Sequence, residues 1–465
     1  MKKMVILLFT TLYIFSSAYI PSFATGENRT KNPSSATTEQ KNTQKDETTP
    51  ENQTEDNSVS ELNNNIINFG PDIVAEAAFL MNPSTGTVLF EKNADAKMYP
   101  ASTTKILTAY IALTKLDLNA PLTASTTAVD IDPDGSNMGL VAGEVLTARQ
   151  LIDSLIIHSA NDAANVLAEA ISGSISEFVN LMNQTAIDLG MNSTHFENPH
   201  GYHHDNHYTT ARDMAILAAK AMENKLFAEM VGMRQLTIEP TNKYKENRVF
   251  STRNAMINPY SDLSVRYRFA TGIKTGHTSN AGYCFVGSAV KNNMDLISVV
   301  FRSTSYDRCF VDTKNLFEYA YSEYRIRTVN KSDEIASTCK VRWALGKEHL
   351  VLKTNEDVKT VLPRDNFSEE LLKSEIIMNE NITAPIKKGD QLGIIKYYYN
   401  GEQVAESGLY ASRDVSRNIL KQFLSYVLNI WFLTALGIVV LIIILSKISE
   451  SRKRRYNSAD RNKGI

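Results

Sequence analysis

The stretch MYPASTTKILTAYIAL, residues 98 to 113, places a serine and a lysine three positions apart at the start of an apolar run. Apolar residues at helical spacing predict a helix whose buried stripe consists of Ile106, Leu107, Tyr110, Ile111 and Leu113. Ser102 and Lys105 then share one face of the first turn, where the helix dipole favours developing negative charge. The pair suits a nucleophile and its base. S-x-x-K also recurs by chance roughly twice in a chain of this size, so the pair alone decides little.

The composition argues for several domains and against nucleic acid as a partner. The 465 residues suffice for two or three domains, and the formal net charge is only -2. Three cysteines are too few for a disulfide framework in an exported protein of this size. One cysteine pair is compatible with the sequence, and Cys284, inside an apolar run, is expected to be a small buried hydrophobe.

Both ends of the chain carry membrane-related patterns. Residues 1–24 have the charged, apolar and small-residue regions of a secretory signal peptide. Residues 423–445 contain no charged residue and predict a transmembrane helix; a buried core helix is the weaker interpretation at this length. The tail at 446–465 is basic, so the positive-inside rule predicts that it is cytoplasmic. The sequence therefore predicts a single-pass protein of the cell membrane with its folded part outside.

Three regions of different character lie between these ends. Residues 25–70 are polar with almost no large apolar residue, a composition that predicts a disordered tether. Residues 71–326 carry the strongest folding signals. Residues 330–412 change to short alternating strands, with a hairpin turn at Asn400-Gly401, and predict a small β domain before the membrane.

Residues 71–326 predict an α+β domain. AEAAFLMNPSTGTVLFEKN has the pattern of a β-hairpin, and GYCFVGSAV and MDLISVVF predict neighbouring strands much later in the chain. Between them, LTARQLIDSLIIH opens with a capping box from Thr147 to Gln150, and DAANVLAEAI predicts the next helix. VDTKNLFEYAYSEY predicts a helix after the strands. These patterns indicate a sheet with strands from both ends of the domain and a helical cluster between them.

Two further motifs complete a set with the S-x-x-K pair. S-A-N at 159–161 lies between the two predicted helices, and K-T-G at 274–276 precedes the strand GYCFVGSAV. S-x-x-K, S-x-N and K-T-G in this order are the motifs of penicillin-binding proteins and class A β-lactamases, with Ala160 where the usual motif has Asp. The three motifs together, in order and in the expected local structure, are strong evidence for that chemistry.

The chain resembles the D-alanyl-D-alanine carboxypeptidases, the low-molecular-mass penicillin-binding proteins of peptidase family S11. The stretches LIIHSANDAANVLAE, MNSTHFENPHGYHHDNHYTTARDMAILA and GIKTGHTSNAGYCFVGSA carry the resemblance together with the opening stretch. It is close over residues 75–326 and looser over the β domain. It implies a penicillin-binding/β-lactamase-like domain with an antiparallel sheet, followed by a small all-β domain. The tether and the full spanning helix depart from the family, many of whose members use an amphipathic anchor.

The chemistry of these residue types fits acyl transfer. An unactivated serine is a poor nucleophile, so Ser102 needs Lys105 as its base, with a pKa lowered by burial or by another cation. Lys274 supplies a second positive charge, which suits a peptide carboxylate and favours a neutral Lys105. Ser159 and Asn161 can relay a proton to the leaving amine and hold the substrate amide.

The resemblance implies the reaction and the remaining roles. Ser102 attacks the bond between two D-alanines of the peptidoglycan stem peptide, D-alanine leaves and water releases the shortened peptide, while a β-lactam stalls at the acyl stage. The backbone N–H groups of Ser102 and His277 form the oxyanion hole. The substrate-binding residues that this implies are Lys274, Thr275, Gly276, His277, Thr278 and Arg308. Neither a cofactor nor a metal is expected, and the membrane is a partner through the C-terminal helix.

Alternative interpretations remain for these residues. One alternative makes Ser102 a plain helix cap and the S-A-N stretch an ordinary loop. A β-lactamase shares the motifs, but no E-x-x-L-N stands between Asn161 and Lys274. A silent wall-binding protein would have no reason to keep every group of the site. Five histidines suggest zinc, but their spacing falls in a Gly- and Asn-containing loop: His195, His200, His203, His204 and His207.

Overall fold

The structure is a computed structural model that describes residues 70–461, with side chains described as far as residue 452. The signal peptide predicted at 1–24 lies outside this range, as does the predicted tether except for Gly70. The strands before residue 305 are β1 (Ala77–Met81), β2 (Val88–Lys92), β3 (Pro121–Thr123), β4 (Val145–Thr147), β5 (Gln235–Ile238), β6 (Arg248–Ser251), β7 (Ala270–Thr278), β8 (Gly282–Lys291) and β9 (Met294–Ser303).

The central sheet joins the two ends of the domain. Its order is β2-β1-β9-β8-β7, with all neighbours antiparallel. This confirms the predicted α+β fold class, the N-terminal hairpin and the two neighbouring late strands. β1 pairs with β9 more than 200 residues later in the chain, and β7 is left at the edge of the sheet.

Helices cover both faces of this sheet. They are α1 (Lys105–Lys115), α2 (Thr126–Val129), α3 (Ala148–Ile157), α4 (Asn161–Ser172), α5 (Ile175–Asp188), α6 (Ala211–Met222), α7 (Lys225–Val231) and α8 (Tyr306–Glu323). The larger core lies between one face and the cluster around α1, and the smaller core lies between the other face and α8. The capping box at the start of α3 is confirmed, since Thr147 and Gln150 bond each other's backbone N–H groups.

The first helix is more deeply buried than its sequence predicts. One apolar stripe was expected, yet every residue from Thr103 to Ala109 is buried, including the polar Thr104, Lys105 and Thr108. Tyr110 and Leu113, expected in the stripe, are only partly buried. The pattern underestimates burial because neighbouring helices pack around α1 and strand β7 packs against the turn that precedes it.

The β domain follows directly on α8. Its strands are β10 (Tyr324–Asn330), β11 (Ser337–Lys340), β12 (His349–Lys353), β13 (Val358–Pro363), β14 (Leu372–Met378), β15 (Gln391–Tyr399) and β16 (Glu402–Ala411). Five form a sheet in the order β11-β12-β16-β15-β14, while β10 pairs with β13. The predicted hairpin turn is confirmed, and φ is 52° at Asn400 and 88° at Gly401, as a tight two-residue turn requires.

A single helix, α9 (Ile419–Arg461), ends the described chain. Its segment Ile419–Arg452 has a mean hydropathy of 2.7, and none of its apolar window is buried against the rest of the protein. The helix extends beyond the predicted span of 423–445 at both ends. It is therefore long and apolar enough to cross a membrane.

Candidate active site

Ser102 lies in a 3-10 turn, Ala101–Thr104, that leads into α1. Ala101 has a φ of 47°, an uncommon conformation for a residue with a side chain, and Thr103 Oγ1 donates to the carbonyl oxygen of Pro100 at 2.7 Å. Ser102 makes no capping bond with its side chain, so its hydroxyl does not serve as a helix cap. The turn instead presents Ser102 to a pocket of about 830 Å³.

Lys105 is fully buried directly behind Ser102. Its Nζ lies 3.0 Å from Ser102 Oγ, 2.7 Å from Asn161 Oδ1 and 2.6 Å from the carbonyl oxygen of His200. The last two atoms only accept hydrogen bonds. A neutral amine therefore uses both of its N–H groups on Asn161 and His200, which leaves its lone pair facing the Ser102 hydroxyl.

The surroundings of Lys105 favour that neutral form. Burial lowers its pKa well below 10.5, and the positive charges of Lys274 and Arg253 lower it further, while Asp162 opposes them. An amine whose neutral form is favoured can accept the proton of a serine. Position and pKa thus agree on Lys105 as a base.

The second motif lies where α3 gives way to α4. Ser159 is buried with a φ of 68°, another strained conformation of the kind that concentrates at functional sites. Asn161 begins α4, and its backbone N–H donates to Ser136 at 2.8 Å. The buried carboxylate of Asp162 accepts from the backbone N–H groups of Met138 and Leu140 at 2.9–3.1 Å. The loop that forms this wall of the pocket is thereby fixed to the S-x-N turn.

The third motif lies on the edge strand β7. Its residues Thr275, Gly276, His277 and Thr278 line the pocket. Lys274 lies beneath the wall, is 2% exposed and donates to the carbonyl oxygen of Thr275 at 3.2 Å. Burial, followed by the charge of Arg253, lowers its pKa to about 7. Lys274 is thus a buried amine that titrates near neutrality rather than an exposed cation.

Two features of the site escaped the sequence reasoning. Arg253, in the loop after β6, lines the pocket and is the cation that faces it directly. The carbonyl of His200 holds Lys105, and Gly201, with a φ of 83°, allows the close approach because a β-carbon there would lie 1.8 Å from Ala101 O. Arg253 carries no local pattern. Gly201 lies in one of the stretches that carry the family resemblance, and this glycine was the one sequence signal for the close approach of the two backbones.

Arg308 is the predicted residue that the structure does not bring into the pocket. Its Nε donates to Asp312 at 2.9 Å, within helix α8, and its Nη2 lies 3.9 Å from Asp72. It is absent from the lining of the pocket. The i,i+4 pair with a buried carboxylate gives Arg308 a structural contact within α8, and its contact with substrate stays a prediction.

The histidine cluster supports the site from behind. His207 Nε2 lies 2.9 Å from Thr104 Oγ1, and its Nδ1 accepts from the backbone N–H of Glu197 at 3.2 Å. Burial, followed by the neighbouring His195, lowers its pKa to about 3. Within residues 70–461, no group of three or more His, Cys, Asp or Glu side chains is arranged to hold a metal ion. All three cysteines are free and buried.

Comparisons with known proteins agree with this geometry. The sequence model of D-alanyl-D-alanine carboxypeptidases matches residues 63–305, and that of the penicillin-binding protein 5 C-terminal domain matches residues 324–417. The D-alanyl-D-alanine carboxypeptidase DacF of Bacillus subtilis (strain 168) is 32% identical over 77% of this chain and 90% of its own length. DacA of Haemophilus influenzae is 32% identical over 74% and 86%. The structure of penicillin binding protein 5 from Haemophilus influenzae covers 75% of this chain and 99% of its own, with a TM-score of 0.63 and 29% identity.

The sheet, the helical cluster and the three motifs around one pocket define a penicillin-binding transpeptidase fold with a C-terminal all-β domain. Within that class, the chain belongs to the D-alanyl-D-alanine carboxypeptidase family, peptidase family S11.

Proposed function

We propose that this protein removes the terminal D-alanine from peptidoglycan stem pentapeptides through an acyl-enzyme on Ser102. The observation that carries the proposal is the 3.0 Å contact between Ser102 Oγ and Lys105 Nζ, in which both other contacts of the amine are acceptors. Lys105 takes the proton as Ser102 attacks the carbonyl carbon of the penultimate D-alanine. The resulting tetrahedral intermediate collapses with loss of D-alanine, and water then hydrolyses the ester.

The proton that Lys105 accepts from Ser102 must then reach the leaving amine, which lies in the pocket. Ser159 lines the pocket and belongs to the same motif as Asn161, which contacts Lys105. We assign Ser159 to the relay of that proton and Asn161 to the positioning of Lys105 and the substrate amide. A shared proton path of this kind needs fixed partners, and the strained backbone of Ser159 is consistent with a fixed position.

The backbone N–H groups of Ser102 and His277 are the proposed oxyanion hole. Gly276 supports this assignment because a β-carbon there would lie 3.1 Å from the nitrogen of Ser102, so β7 and the turn lie side by side. Such donors cost no reorganisation when negative charge develops on the carbonyl oxygen.

Recognition of the free carboxylate is assigned to Arg253 together with the hydroxyls of Thr275 and Thr278. All three line the pocket, whereas Lys274 is covered by its wall. Lys274 then acts indirectly, because its positive charge lowers the pKa of Lys105. The sequence reasoning gave the carboxylate to Lys274, and the burial of that residue moves the proposed contact to Arg253.

The decisive experiment is mass spectrometry of stem pentapeptide incubated with the full chain in detergent. We expect loss of one alanine, and labelled penicillin should form a stable adduct on Ser102. An unchanged peptide, or an adduct on Ser159 instead, would overturn the assignment. Rapid turnover of the penicillin without loss of alanine from the peptide would point to a β-lactamase.

We also propose that α9 anchors the protein in the cell membrane with the folded domains outside and residues 446–465 in the cytoplasm. The support is the length and hydropathy of Ile419–Arg452 and the basic residues that follow it. Protease added to intact cells should digest the folded side and spare an epitope placed at the C-terminus. An accessible C-terminus would reverse the orientation.

A further inference from the structure

The end of the β domain from which α9 emerges is strongly basic. Three segments meet there, 340–349, 384–390 and 411–421, and together they contain eight Lys or Arg and three Asp or Glu. We call this surface the basic collar. Lys340 and Lys421 flank an acidic residue in it, and its six other cations are Arg342, Lys347, Lys387, Lys388, Arg413 and Arg417.

Backbone pairing makes the collar one unit. Ala344 bridges to Arg417 and Ile386 bridges to Val415, so the three segments are joined side by side. The backbone N–H of Asn418 donates to Trp343 O at 2.7 Å, and its side-chain oxygen accepts from the N–H of Lys421 at 3.0 Å. Asn418 therefore ties the collar to the first turn of α9 with no intervening linker.

The acidic residues of the collar are already engaged. Glu348 lies 2.6 Å from the Nζ of Lys421 and 3.5 Å from that of Lys340. Asp390 and Asp414 accept from backbone N–H groups at 2.8 and 2.7 Å. Among the side chains that the structure describes, the other six cations have no carboxylate within 4.0 Å, and all but Arg413 are exposed.

Aromatic and apolar groups indicate where along α9 the collar lies relative to the lipid headgroups. The ring of Trp343 packs on Tyr426, with centroids 5.9 Å apart, and its Nε1 donates to Ser425 Oγ at 3.1 Å. Leu345, in the same turn, is 59% exposed. Trp and Tyr concentrate where a spanning helix meets the headgroups, so the collar lies at that level of α9.

We propose that the basic collar binds the anionic phospholipid headgroups of the membrane that α9 enters. The inference rests on the proposed membrane anchoring and adds the lipid chemistry that this anchor selects. Continuity with α9 brings the cations within a Debye length of the headgroup phosphates, where each Lys or Arg is attracted to a negative surface. The phosphates then supply the partners that the six cations lack among the side chains that the structure describes.

The chain contains two tryptophans, Trp343 and Trp431, so Trp431→Phe leaves a single fluorescent reporter in the collar. The full-length variant is placed in nanodiscs of zwitterionic lipid, or of the same lipid with about a third replaced by anionic lipid. Acrylamide quenching then measures the exposure of Trp343 to water. We expect the quenching constant to fall about twofold or more with anionic lipid, and to recover at about 0.5 M salt.

Charge reversal supplies the matched comparison. Arg342→Glu with Lys388→Glu should abolish the lipid-dependent fall, whereas Lys359→Glu with Lys373→Glu, on exposed strand positions outside the collar, should preserve it. Equal quenching in both lipids, or equal loss in both double variants, overturns the proposal. So does a soluble polyphosphate that shields Trp343 in zwitterionic discs as well as anionic lipid does.

Two further readouts separate this proposal from the proposed function. Carboxypeptidase activity on a soluble pentapeptide should be the same for both double variants, because neither touches the pocket. If protein with an unaltered collar is active and enters the discs, but anionic lipid does not change the quenching of Trp343, only the collar proposal is wrong. Failure of the chain to enter discs, or an inactive wild type, would instead contradict the proposed anchoring or activity.

Discussion

Gly276 and Ser102 lie so close that a β-carbon on Gly276 would be 3.1 Å from the backbone nitrogen of Ser102 and 2.9 Å from the carbonyl oxygen of Pro100. Real side chains almost never tolerate such contacts with backbone. The edge strand and the turn that bears Ser102 therefore fix each other's position, and the last residue of the K-T-G motif is glycine for a steric reason.

We predict that Gly276→Ala separates stability from activity. Overpacking should cost about 1–3 kcal/mol of unfolding free energy. Displacement of the Ser102 turn by even an ångström should lower the rate of acylation by penicillin about a hundredfold. Thermal unfolding and stopped-flow acylation measure the two effects. Wild-type acylation in a well-folded variant would show that the turn and β7 are not coupled.

Lys105→Ala should lower the acylation rate constant about 10²–10⁴-fold, the usual contribution of a positioned general base. Lys115→Ala is the matched control, because that lysine is exposed on the last turn of the same helix. The control should acylate at the wild-type rate. Comparable loss in both variants would mean that helix integrity, and not the base, was measured.

The burial of Lys274 predicts a pH-dependent cost in stability. Its pKa is about 7 in the folded protein against 10.5 when exposed, so the unfolded chain binds more protons between these values. Burial of Lys274 therefore leaves the free energy of unfolding unaffected above about pH 10.5 and reduces it progressively as pH falls from there to about 7.

Lys274→Met should remove that cost while abolishing activity. At pH 7 the free energy of unfolding of the variant should exceed that of wild type by about 3–5 kcal/mol, and the difference should shrink towards pH 10.5. Urea titrations across this range test it. A difference that does not change with pH would show that Lys274 keeps its ordinary pKa.

Arg253 should read the free carboxylate of the substrate. With the wild-type enzyme, amidation of the terminal D-alanine should lower kcat/KM about 10- to 100-fold through loss of a charge-assisted contact worth about 1.5–3 kcal/mol. Arg253→Ala should act on acid and amide with similar efficiency. Arg234→Ala, an exposed arginine outside the pocket, should retain the wild-type preference. Equal rates for acid and amide with the wild type would contradict recognition of the free carboxylate and favour an endopeptidase activity.

Local patterns predicted what is local in this molecule. The hairpin of β1 and β2, the Thr147 capping box and the Asn400-Gly401 turn depend on residues a few positions apart, and each is confirmed. The three motifs predicted the pocket because their spacing and order are specific. The burial of every residue from Thr103 to Ala109 was not visible, since it depends on neighbours far away in the chain.

The same limit explains one cation that the sequence did not identify, Arg253, and one whose surroundings were not foreseen, Arg308. Arg253 enters the pocket from a loop with no periodic pattern, and Arg308 is drawn away by Asp312, one helical turn further on. The i,i+4 spacing of that pair is present in the sequence, but only the resemblance was used there, and it pointed to substrate. Spatial proximity across more than a hundred residues, as between Lys105 and Lys274, required the fold.

Asn418 closes the β domain and caps α9 at once, so no slack chain separates the folded domains from the anchor. In a membrane-anchored enzyme, such a joint confines the catalytic pocket to a fixed height, and lateral diffusion of the anchor becomes its main means of search. Such an enzyme would reach wall peptides only in a layer parallel to the membrane. The number of peptides within its reach would scale with membrane area and not with envelope volume. Inserting a flexible glycine-serine segment after Asn418 would change the depth of wall that it can reach.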